Sequence, residues 1–118
     1  MKALSLHQPW ASMIASGIKT IETRRWATSY RGELLICSTK KPILPGFRCG
    51  YAICVVTLWD CLPMCKDHEK AAGCEFYDGA YSWFLKDVQQ LKPFTIRGMQ
   101  GLFEVDNRDI HSSIIINH

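Results

Sequence analysis

One stretch constrains the fold of this chain more than any other: His7-Gln8-Pro9-Trp10-Ala11-Ser12-Met13-Ile14-Ala15-Ser16-Gly17-Ile18-Lys19-Thr20-Ile21-Glu22-Thr23-Arg24-Arg25-Trp26. Pro9 suits the first turn of a helix, where its missing N–H would have had no partner and its fixed φ is already helical. Trp10, Met13, Ile14 and Gly17 recur at three- and four-residue spacing, which predicts a short amphipathic helix over 9–16 with one face on a core. Gly17 stands where such a helix should end, because a left-handed residue just past the last turn costs glycine least. About two turns are too few for propensity to hold, so packing must hold this helix.

After the glycine, Lys19, Glu22, Arg24 and Arg25 crowd one strand-length segment that ends on Trp26. Strict alternation over a strand at 19–24 puts Lys19, Ile21 and Thr23 on one face and Thr20, Glu22 and Arg24 on the other. If Lys19 instead stays in the helix-to-strand turn, it can swing round to meet Glu22. The result would be a lysine–carboxylate pair beside an arginine at the mouth of a cleft. As a solvated surface pair the same residues would contribute only about 0–1 kcal/mol and carry no function.

The pattern Gln8-Pro9-Trp10-Ala11-Ser12, Ile14, Gly17-Ile18-Lys19, Ile21-Glu22, Arg24 and Trp26 resembles the signature of the ASCH domain, a small β-barrel superfamily related to the PUA fold. Arg31-Gly32-Glu33-Leu34-Leu35-Ile36 and Arg97-Gly98-Met99-Gln100-Gly101-Leu102-Phe103-Glu104-Val105 also look like that family, so the resemblance runs from about Leu4 to Val105. It implies that Lys19, Glu22 and Arg24 line a cleft beneath the N-terminus of the Pro9 helix, whose backbone N–H groups would favour an anion. Some ASCH-like proteins are amidohydrolases acting on acylated cytidine-type nucleosides, with a lysine, a threonine three residues later and a distant glutamate. Lys19 matches that lysine, but Glu22 stands in the threonine position, which removes the nucleophile. Nuclease activity is also attributed within the superfamily, and Lys19 with Glu22 has the residue types for acid–base cleavage of RNA.

The rest of the chain reads as short strands: Lys2 to Leu6, Glu33 to Cys37, Tyr51 to Trp59, Ala80 to Leu85, Val88 to Phe94 past a bulge near Asp87, and a closing Gly101 to Val105. Pro63 should stop the third of these and Pro93 should weaken the fifth. Lys66 to Ala72 reads as a short polar helix. Ile114-Ile115-Ile116 in the tail is sticky enough to pack or to add an edge strand. Short strands with one or two short helices predict a mainly β fold with short helices, a small PUA-like barrel whose closure removes exposed edges. The 118 residues suffice for one core. A single ASCH-like domain over 1–118 is therefore expected, with a core at about 4–105 and a tail at 106–118.

Charge sharpens the functional expectation. Residues 1–48 hold eight Lys/Arg against two acidic residues, whereas residues 49–118 hold six against nine. A basic half that includes the signature suits an anionic ligand such as a nucleic-acid backbone. The expected ligand is RNA or a nucleotide-like molecule. The expected binding residues are Gln8, Pro9, Lys19, Arg24, Arg25 and Trp26, with Lys40, Lys41 and Arg97 extending a phosphate track. The alternative is a small hydrolase, a ribonuclease or an amidohydrolase on modified nucleosides, with Lys19 and Glu22 as its catalytic pair. A protein partner docking on the apolar tail is the third class. Among the aromatics, Trp10 and Trp83 are expected in the core, and Trp26 and Tyr30 exposed for stacking.

No apolar run approaches the roughly 18–20 residues of a membrane helix. The first residues lack the apolar stretch of a signal peptide. A cytoplasmic monomer without membrane contact is expected. Six cysteines then read as reduced thiols, with Cys37 and Cys54 in apolar runs as core. Cys61, Cys65, His68 and Cys74 have ligand chemistry, but their spacing matches no common zinc finger or ribbon. No metal and no cofactor are expected.

Overall fold

In the computed structural model, which describes residues 1–115, β1 (Lys2–Leu6) leads through α1 (Trp10–Ala15) into β2 (Ile21–Arg24). Then follow β3 (Gly32–Ser38), β4 (Tyr51–Pro63), a 3₁₀ turn at Lys66–His68, α2 (Glu69–Ala72), β5 (Tyr81–Thr95), β6 (Phe103–Glu104) and α3 (Asn107–His111). The strands form one six-stranded sheet in the order β2-β5-β4-β3-β1-β6. Only β1 and β3 run parallel, with α1 and β2 in the crossover between them; the other pairs are antiparallel.

The mainly β architecture with short helices is the one the sequence implies, but backbone hydrogen bonds do not close the barrel. β2 and β6 are its two free edges. Three strands separate β2 from β1 in the sheet, yet the Arg24 Nη2 of β2 donates to the Ser5 carbonyl of β1 at 2.9 Å. The sheet therefore curls until its ends nearly meet, and a side chain bridges the gap. β2 has four residues and β6 has two, too few to complete a ladder across it. Short edges also limit unwanted strand pairing.

The central strands are buried on both faces. On one side Leu34 and Ile36 of β3, Val56 and Leu58 of β4 and Trp83 of β5 pack with Ala11 and Ile14 of α1. On the other, Leu35, Cys37, Val55 and Leu91 pack with Phe103 and Ile110. Burial pushes the Cys37 and Cys54 thiols up to about 12, so both behave as small apolar groups. The tail contributes to this second layer: Asp106 caps α3 by accepting from the Arg108 N–H at 2.8 Å, and Ile110 is fully buried. Ile114 bridges to Leu91 of β5; Ile116 lies outside the described residues.

Several boundaries differ from the sequence expectation. β4 continues through Trp59 to Pro63, where the missing N–H falls at the strand's last residue. β5 is one long strand rather than two, because the bulge at Asp87 is absorbed within it. Pro93 is tolerated because it falls in a register shift between the Cys54–Gln90 and Ala52–Phe94 pairs. Of the predicted closing strand only Phe103 and Glu104 pair.

Trp10 is not core but 39% exposed. Ala11 and Ile14 are the residues of α1 that face the sheet, and the small Ala11 lets the helix approach closely. Trp10, one position earlier, is turned roughly 100° away toward solvent.

Asp87 is the one described non-glycine residue with a left-handed backbone, at φ +54°. An L side chain pays a steric penalty there that glycine avoids. Asp87→Gly should raise stability by about 0.5–1 kcal/mol and Asp87→Val should lower it by about 1–2 kcal/mol. Urea denaturation reads both, and equal midpoints for the two variants would show that the bulge stores no strain.

Candidate functional site

The helix-to-strand connection decides the site. Gly17, at φ +81°, ends α1 with its N–H on the Ile14 carbonyl, and the Lys19 N–H folds back onto the Met13 carbonyl at 3.1 Å. Thr20 is then held by the Ala71 carbonyl at 3.0 Å, and β2 starts only at Ile21. Ile21 packs with Met64, Ala72 and Ala80 in a small cluster that fixes α2 beside β2. Lys19 thus lies before the strand and escapes its alternation. It turns to the face that carries Glu22 and Arg24.

The three side chains form a partly buried charged network. Lys19, only 4% exposed, places its Nζ 3.4 Å from Glu22 Oε1 and donates to the Ala72 carbonyl. Arg24 Nε donates to Glu22 Oε2 at 2.9 Å while Nη2 reaches Ser5. Buried charges persist only when paired and hydrogen-bonded, and this set meets that requirement. It holds two cations to one carboxylate, so it presents a net positive charge. Two of the five guanidinium N–H groups of Arg24 are taken; the remainder have no partner among the described residues.

These groups line a cleft of about 1000 Å³ between β1 and β2. Arg25 and Trp26 stand on its rim: Arg25 donates to the Asp78 carbonyl at 3.3 Å and stacks 4.9 Å over Tyr77. Trp26 is 38% exposed and meets buried Trp83 edge to face at 4.7 Å. Trp10 covers Lys19, whose Nζ lies 5.7 Å from its ring. The cleft therefore combines three cationic side chains with two half-open indole faces.

Other sequence-level candidates fall elsewhere. The Gln8 side chain is buried as a clamp, donating to the Arg48 carbonyl at 2.8 Å and accepting from the Ser12 N–H at 3.0 Å. Pro9 precedes α1 without lining the cleft. The N–H groups of Trp10, Ala11 and Met13 bond the His7 and Pro9 carbonyls, so the helix start has no open donor for an anion, contrary to expectation. Lys40 and Arg97 line an adjoining groove; Lys41 is exposed and lines neither. Tyr30 is half-buried, with its hydroxyl on the Glu33 carbonyl.

His68 is engaged with Ser82 Oγ at 2.9 Å, and Cys74 Sγ lies 3.7 Å from Thr23 Oγ1. Among the described residues no three His, Cys, Asp or Glu side chains converge as metal ligands. No described helix is long and apolar enough to cross a membrane.

Sequence reasoning missed Ser5, Ala72, Tyr77, Met99 and Gln100, all in the cleft wall. Ser5 and Ala72 act through backbone carbonyls, which leave no trace in residue type. Met99 and Gln100 sit within the Arg97–Val105 motif, which was the available signal.

Residues 4–95 match the model of the ASCH domain. Over 89% of its length the chain is 58% identical to human Activating signal cointegrator 1 and 30% identical to the mouse protein of that name. It spans about a fifth of those relatives, 22% of each. Among solved structures it resembles the ASCH protein from Zymomonas mobilis, with a TM-score of 0.76 over 97% of this chain and 95% of that one. A mutant form of that protein superposes with a TM-score of 0.71. Identity to both is 18%, so this likeness speaks for the fold alone. With the family model covering most of its length and the fold agreeing, the chain belongs to the ASCH domain family.

Proposed function

We propose that this domain binds RNA through a phosphate-bearing nucleotide unit held in the Lys19–Glu22–Arg24 cleft. The observation that carries the proposal is the charge balance of the buried network. Two cations share one carboxylate, and a phosphodiester monoanion would neutralise the remaining charge. Arg24 offers a planar fork for phosphate oxygens. Arg25 adds a charge at the rim, and Trp10 and Trp26 offer faces on which a base can stack, worth roughly 1–3 kcal/mol each. Lys19 is tied to Glu22 and to the Ala72 carbonyl, and Glu22 to Lys19 and Arg24, an arrangement suited to fixing charge in place.

Fluorescence anisotropy with short single-stranded RNA at two salt concentrations tests this. Affinity should fall steeply with salt because neutralised phosphates release counterions. Arg25→Ala is the informative variant, since Arg25 is exposed and its loss leaves the buried network intact. It should weaken binding and reduce the salt slope by about 1. Salt-independent binding, or an unchanged slope in the variant, would remove this cleft as the site. The RNA is then checked for integrity: cleavage that Lys19→Ala abolishes would make the cleft catalytic instead.

A further inference from the structure

The cleft does not end at β1. A second groove of about 980 Å³ opens on the other side of the 97–101 loop, and Ser5, Thr39, Met99 and Gln100 line both. Lys40 and Arg97 are its charged residues, and no acidic side chain lines it. The two grooves together carry five Lys/Arg against the single carboxylate of Glu22. The whole chain has a formal charge of only +3, so the positive charge of the molecule is concentrated along this path and the rest of the surface is close to neutral.

Ser5 lies at the junction of the two grooves. Its carbonyl holds Arg24, while its Oγ is the one buried side-chain oxygen or nitrogen among the described residues with no hydrogen-bond partner. Gly98 packs directly over this hydroxyl, so the 97–101 loop that divides the grooves is seated on β1 at Ser5.

Resting on the proposed binding of RNA, we infer that the ligand is single-stranded and at least two nucleotides long. One unit sits in the Lys19–Arg24 cleft, and its neighbour crosses the 97–101 loop so that its phosphates reach Lys40 and Arg97. Recesses on either side of a loop accept a strand whose bases are splayed apart. A stacked duplex cannot enter both.

Calorimetric titration with uridine monophosphate, a uridine hexamer and a self-complementary RNA duplex of similar length tests the inference. The native chain should bind the hexamer at least tenfold more tightly than the mononucleotide and more tightly than the duplex. In Lys40→Ala/Arg97→Ala, where both side chains are exposed, the hexamer-to-mononucleotide ratio should fall toward one. The hexamer salt slope should drop by about 1–1.5, near 0.7 for each single-strand phosphate released. An unchanged ratio in the double variant, or a duplex bound as tightly as the hexamer, overturns the inference. Mononucleotide binding without any gain from length defeats the extension alone. Failure of the native chain to bind either single-stranded ligand defeats the nucleotide-binding proposal beneath it.

Discussion

Glu22→Ala should destabilise the fold by about 3 kcal/mol, more than any other single change in the cleft. Removing one partner of a buried ion pair leaves the other charge without compensation, and such truncations cost about 3–5 kcal/mol. Here two cations are orphaned together. Lys19, 4% exposed, loses its only carboxylate partner among the described residues, and Arg24 loses the group that holds its Nε. Partial exposure of Arg24 moderates the effect and sets the expectation near the lower end. Glu22→Gln retains an acceptor for Arg24 and should cost about half as much. Urea denaturation of the three proteins gives the comparison, and a loss below 1 kcal/mol for the alanine variant would mean that water already solvates the network. Because the alanine variant is also more cationic, any RNA affinity that rises in it must be read beside its stability.

Trp83→Ala should cost about 3–5 kcal/mol, the range for truncating a large buried aromatic to alanine. Trp83 is fully buried within the layer that joins β3, β4 and α1. Its indole N–H donates to the Trp26 carbonyl at 3.3 Å, and Trp26 packs edge-on against its ring. In the sheet it stands opposite Glu22 on β2 and Cys61 on β4. Its removal should therefore loosen the rim of the cleft as well as the core. Near-ultraviolet circular dichroism should lose the signal of the coupled indoles while the urea midpoint falls. A loss of unfolding free energy below about 1.5 kcal/mol would show that the surrounding side chains collapse into the cavity. Trp83→Phe keeps most of the volume and should be tolerated far better.

The fold class and the site's raw material were both legible in the sequence. The apolar runs at Glu33 to Cys37 and Tyr51 to Trp59 predict strands covered on both sides; this holds for Leu34 to Cys37 and Ala52 to Val56, whereas Trp59 is 48% exposed. The end of α1 at Gly17 follows from the left-handed conformation that glycine tolerates. The charged segment before Trp26 announced a cleft, and its lysine, glutamate and arginines all line one.

Where sequence reasoning failed, the cause was an arrangement between distant segments. Trp10 looked like core because its spacing fits the apolar face, but spacing fixes which residues share a face and not how far the helix is rotated against its sheet. The barrel was expected to close, yet closure depends on edge-strand length and on what fills the gap, here Arg24 reaching Ser5. The tail at 106–115 carried no periodic signal because its anchors are few and scattered, with Ile110 buried in the second layer and Ile114 bridging to Leu91 of β5.

What the sequence determined by itself is therefore local: the period of each strand, the stop of the helix and the kinds of charge near Trp26. What the tertiary structure decided is which of those charges meet. Lys19 reaches Glu22 only because Thr20 is pinned to α2, and α2 comes from a segment about fifty residues further along. The two carbonyls that complete the network, from Ser5 and Ala72, are backbone groups that every residue carries. Their position, not their chemistry, makes them part of the site, and position is set by the packing of the whole sheet.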